Sequence, residues 1–81
     1  MSDTAAPTLD AARALVAEYG TVDLELVGLD GNAFAIMGAV QRASRHANWP
    51  PEAVSALLAD MQSDRYDHLL QVAMVATGDI T

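Results

Sequence analysis

Tyr66-Asp67-His68 sets a phenol, a carboxylate and an imidazole in consecutive positions, three groups suited to acid–base chemistry. Asp30-Gly31-Asn32 offers a second possibility. It ends in a residue suited to starting a helix, and the free N–H groups of a helix start can hold an anion. Each group also has a plainer use. Neighbouring residues on a helix point about 100° apart, so Tyr66, Asp67 and His68 do not converge unaided. Tyr66 is then expected to pack with Leu69, Leu70 and Ala73, Asp64 or Asp67 to cap, and His68 to stay partly solvated. Asn32 caps the helix that follows it and Asp30 bonds within its own turn, where its charge repels an anion. If these positions do serve a ligand, the set is Asp30, Asn32, Tyr66, Asp67 and His68. That set requires the last helix to pack beside the turn at 30–32.

Other chemistry finds little support. Asp64 and His68, four apart, share a helix face, but His46 is the one other imidazole and there is no cysteine. No second ligand pair at zinc spacing exists, so no metal site is expected. No nucleophile elbow, phosphate loop or dinucleotide fingerprint occurs, so neither a catalytic set nor a cofactor is expected. Met37, Met61 and Met74 fall at core spacing, and Trp49 before Pro50-Pro51 reads as a plug between two helices.

The elements that must position these groups follow from hydropathy patterning. Residues 1–7 read as a flexible leader and 8–81 as one small domain. Leu9, Ala12, Leu15, Val16 and Tyr19 form a helical stripe over 9–19, with Thr8 as cap and Gly20 as stop. From Thr21 to Val27 the period becomes two: Val22, Leu24 and Leu26 point one way, Thr21, Asp23 and Glu25 the other. This predicts a half-buried strand. Asp30-Gly31 is a common hairpin turn, yet residues 32–38 have no polar face for a returning strand. Phe34, Ile36, Met37 and Val40 fit a helix instead, with Arg42, Arg45 and His46 near its end, where cations suit the dipole, and Asn48 in the closing turn. Pro51 opens a third helix with Val54, Leu57, Leu58 and Met61 buried. A fourth spans about 65–76 and closes at Thr77-Gly78. Its "LLQVAMVA" is apolar nearly all round, as suits a central or shared helix.

The expected fold class is therefore mainly α (α+β), in the order helix, strand, helix, helix, helix. A lone strand has unpaired edges, so the pairing expected is with its own copy across a homodimer. Val22, Leu24, Leu26 and Met74 are then the interface candidates; the stretch from Met74 to Ile80 is the other possible mate.

Length and charge bound the function. A chain of 81 residues buries about 60–65 % of its unfolded surface, and 52 % hydrophobic content favours self-association. Net charge is −7, with eleven acidic groups against four basic ones. That disfavours nucleic acid and anionic membranes, and no apolar run approaches the ~20 residues of a membrane span. No secretory signal is evident in "MSDTAAPTLD", so the expected location is cytoplasmic. All four basic residues are arginine and alanine occurs sixteen times, a composition suggesting a high-G+C bacterial or phage genome.

Residues 26–43, "LVGLDGNAFAIMGAVQRA", and 63–74, "SDRYDHLLQVAM", together resemble a family of short uncharacterised phage, plasmid and bacterial proteins. Its members carry a strand, D-G-N-A-F and a helix, then G-D-Y-D-H-L-L. The resemblance spans about half the chain. It departs at Arg65, where the pattern has Gly-Asp before the tyrosine, and at the tail "VATGDIT", where the family has an aromatic-rich end. It implies candidate positions and no chemistry. The expected function is a small acidic non-enzymatic binding protein, a homodimer of a mobile element, that engages a basic protein surface. The alternative is a protein that sequesters a small ligand or nucleotide in a pocket near Asp30–Asn32 and Tyr66/His68.

Overall fold

A computed structural model describes residues 8–26, 28–29 and 31–79. The 1–7 leader, Val27, Asp30, Ile80 and Thr81 lie outside the described residues. Four helices follow one another: α1 (Asp10–Tyr19), α2 (Ala33–His46), α3 (Pro51–Met61) and α4 (Tyr66–Thr77). α3 and α4 form an antiparallel hairpin at the centre. α1 and α2 each pack on both members of that hairpin and not on one another. Leu57, Met61, Val40 and Val72 fill the middle, and no part of their side chains reaches solvent.

The helix limits follow local chemistry. Asn32 caps α2, its side-chain oxygen accepting the Phe34 N–H at 2.8 Å, so Gly31-Asn32 leads into a helix as the pattern of the following residues implies. Asn48, at φ +69°, turns the chain after α2, and Pro51 opens α3 where a missing N–H costs least. Trp49 is the buried plug at this corner, its ring 5.5 Å from that of Tyr19 on α1. Two caps differ from expectation. α1 starts at Asp10 with Leu9 as its cap residue and no side-chain cap from Thr8. α4 starts at Tyr66 with Arg65 as cap residue; Asp64 Oδ1 instead accepts the Arg65 N–H at 2.6 Å.

The fold class is corrected in one respect: it is all-helical. No strand occurs among the described residues, so the helix-strand-helix-helix-helix order and the strand pairing across a homodimer both fall. The two-residue alternation is nevertheless present in space. Val22 is buried in the molecule's own core, Leu24 and Leu26 pack against that core, and Thr21, Asp23 and Glu25 are exposed. What the pattern did not reveal is the surface that receives it. The segment lies on helices rather than beside another strand. The Val22 N–H donates to the Ala76 carbonyl at the end of α4, 2.8 Å away, where a helix leaves its last carbonyls unused. α4 runs on through Thr77, so the chain end does not become a mate.

Candidate functional site

Two groups of side chains stand out, and α4 contributes to both. At its first turn, Tyr66 reaches across to α2's entry turn, where its hydroxyl donates to the Gly31 carbonyl. The last helix therefore does pack beside the turn at 31–32. Asn32 is committed there to capping α2, so the turn is tied twice, once within its own helix and once to α4. Tyr66 keeps 42 % of its surface exposed even so. Three positions after Gly31, Phe34 is 80 % exposed on the first turn of α2. Phe34 and Tyr66 are the large hydrophobic residues left in solvent among those described. A phenylalanine this open gains nothing for the fold, since burying it fully would be worth about 1.5–3 kcal/mol. The three-residue spacing of Phe34, Met37 and Val40 suggests that all three share one apolar stripe. Phe34 lies off that stripe because Ile36, Ala39, Val40 and Ser44 define the covered side of α2. The signal available was the helical wheel: from Phe34, Ile36 is about 200° round and Val40 about 240°.

The second group is a hydrogen-bonded pair across the α3–α4 hairpin. His68 Nε2 lies 3.0 Å from Asp60 Oδ1, with the two side chains 3 % and 16 % exposed. His68 is thus buried rather than partly solvated. Asp60 was missed because it stands eight residues away; only the tight turn between the helices brings the two together. Ser63 closes this turn, its hydroxyl donating to the Asp60 carbonyl at 2.7 Å. The order in space is serine, aspartate, histidine. In a hydrolytic triad the imidazole stands between hydroxyl and carboxylate. Here the carboxylate is in the middle, so the imidazole has no hydroxyl to activate. Asp60 Oδ2 and His68 Nδ1 have no partner among the described residues. An unpartnered ring lone pair is easier to bury than an unpartnered N–H, which fits an Nε2–H donated to Asp60.

Asp67 makes no contact with the Tyr66–Gly31 link among the described hydrogen bonds. With Asp64, Arg65, His68 and Gln71 it lines an open hollow of about 370 Å³ beside α4. The structure therefore joins Tyr66 to the turn that holds Asn32, and separates Asp67 and His68 from it; Asp30 lies outside the described residues. Among those residues no three side chains are placed to hold a metal ion. No helix there is long and apolar enough to cross a membrane.

No known family, characterised protein or solved structure matches this chain.

Proposed function

We propose that this protein is a small acidic binding module that docks a protein partner through the end of the bundle carrying Phe34 and Tyr66. One observation carries the reading: Phe34 is 80 % exposed beside a turn that Tyr66 holds in place. An aromatic side chain presented on a fixed backbone loses little freedom on binding, and aromatic anchors dominate binding energies at protein interfaces. Asp64, just before α4, and Asp67, in its first turn, are exposed, and the chain carries −7 overall. A partner with an apolar recess flanked by basic residues matches this surface, and its approach would be quickened by charge at low salt. The cell of origin supplies that partner, or a second copy of the chain does.

The test places a photoreactive amino acid at position 34 and, as control, at exposed Ser55 on α3. A discrete product formed from position 34 and not from 55, with a yield that falls as salt rises, supports a docked basic partner. Equal labelling from both positions, or none from 34, rejects it. A product of twice the chain mass identifies the partner as a second copy.

A further inference from the structure

A groove of about 340 Å³ runs between α2 and the segment that precedes it, away from Phe34. Ala39, Arg42, Ala43 and His46 recur at three- and four-residue steps and form its α2 wall, while Asp23, Leu24 and Leu29 form the other. Its floor is apolar, made by two leucines and two alanines. Its lining also includes Arg42 and His46 and, among the described residues, one carboxylate, that of Asp23.

Arg42, like Arg45 and Arg65, forms no ion pair with any described residue, and it is the one of those three that lines this groove. Its Nη1 lies back along α2, 3.5 Å from where a side chain at Gly38 would begin. The exposed guanidinium thus lies over α2 with donors open to a ligand. Guanidinium donors match the two oxygens of a carboxylate.

We infer that this groove binds a small amphipathic carboxylate, with the carboxylate on Arg42, aided by His46, and an acyl or aryl body over Leu24, Leu29, Ala39 and Ala43. The groove is shallow and open, so only a small ligand is matched to it. One negative charge suits it better than two, because Asp23 also lines it and the whole chain is anionic. The site is on a different face of α2 from Phe34, so it stands or falls apart from the docking reading.

The experiment titrates decanoate, naphthoate, decanol and decyl phosphate into the full chain, following amide chemical shifts and heats of binding. Decanoate or naphthoate is expected to shift the amides of Leu24, Ala39 and Ala43, with decanol and decyl phosphate at least about tenfold weaker. Arg42→Gln changes an exposed side chain and is expected to weaken the carboxylate about tenfold while leaving the circular dichroism unchanged. Ala43→Leu, which fills the floor, is expected to abolish binding. Decanol binding as well as decanoate, an unaffected Arg42→Gln, or shifts confined to other parts of the molecule would each overturn the assignment.

Discussion

The Tyr66 hydroxyl and the Gly31 carbonyl are 35 residues apart in the chain and hydrogen-bonded in space, joining the first turn of α4 to the turn that opens α2. This link is a side-chain donor on a backbone acceptor, and no regular element contains it. Removing the hydroxyl alone, in Tyr66→Phe, is expected to destabilise the fold by about 1 kcal/mol, the net worth of one such bond. Urea denaturation measures it. An unchanged midpoint would show that the turn does not depend on the link.

Phe34 should behave in the opposite way. Its side chain touches little of its own molecule, so Phe34→Ser is expected to change stability by less than about 0.5 kcal/mol. Partner capture should nevertheless be lost, because the anchor is gone. Thermal unfolding beside the crosslinking assay separates the two effects. A large stability loss would mean that Phe34 belongs to the core after all.

The Asp60–His68 pair makes a quantitative demand. Asp60→Ala leaves a buried imidazole nitrogen without its partner and is expected to cost about 1–3 kcal/mol. His68→Ala removes the same contact and a buried ring besides, so its effect should be at least as large. If the pair acts as a unit, the double variant loses less than the sum, with a coupling of about 1 kcal/mol. Strict additivity would mean that the contact contributes nothing.

Gly20 and Gly78 separate backbone strain from crowding. Both have positive φ, +89° and +85°, so alanine at either is strained by about 1 kcal/mol or more. Around Gly20 nothing lies within 4 Å of an added Cβ, whereas at Gly78 it would meet Thr21 Cγ2 at 3.3 Å. Gly20, at ψ 170°, lies in a region that only glycine adopts readily, whereas Gly78, at ψ 6°, is left-handed helical. Gly20→Ala should therefore lower the melting temperature through backbone strain alone, while part of the loss in Gly78→Ala should be recovered by Thr21→Ser, which removes the crowding methyl. No recovery would place no weight on the contact.

Tyr19 carries the pH expectation. Burial, then the charge and hydrogen bond of Glu18, then the charge of Glu52, hold its hydroxyl above its usual pKa of 10.0. The folded state thus keeps a proton that the unfolded state gives up first. The resulting stability is fully present below pH 10 and is lost as pH rises through the folded value. In a Tyr66→Phe background Tyr19 is the remaining tyrosine, and its ultraviolet titration should have a midpoint above 10.0 that Glu18→Gln lowers. A midpoint at or below that value contradicts the assignment.

The amino-acid order by itself determined the four helices, the Asn32 cap, the Pro51 start, the Asn48 turn and the Trp49 corner. Each depends on neighbours within a few residues: apolar spacing, a capping oxygen, a ring that fixes φ, a left-handed turn. It also determined which residues of 21–26 point inward. Whether that segment became a strand was decided by tertiary structure, because a strand is defined by its partner. The surface offered to Val22 was the end of a helix. The site divided in the same way. That Asn32 caps a helix is local; that Tyr66 reaches Gly31, that His68 turns instead to Asp60, and that Phe34 is left in water all depend on how the helices pack. Periodicity tells which side chains share a face, while the neighbour that face meets is set only when the whole chain closes on itself.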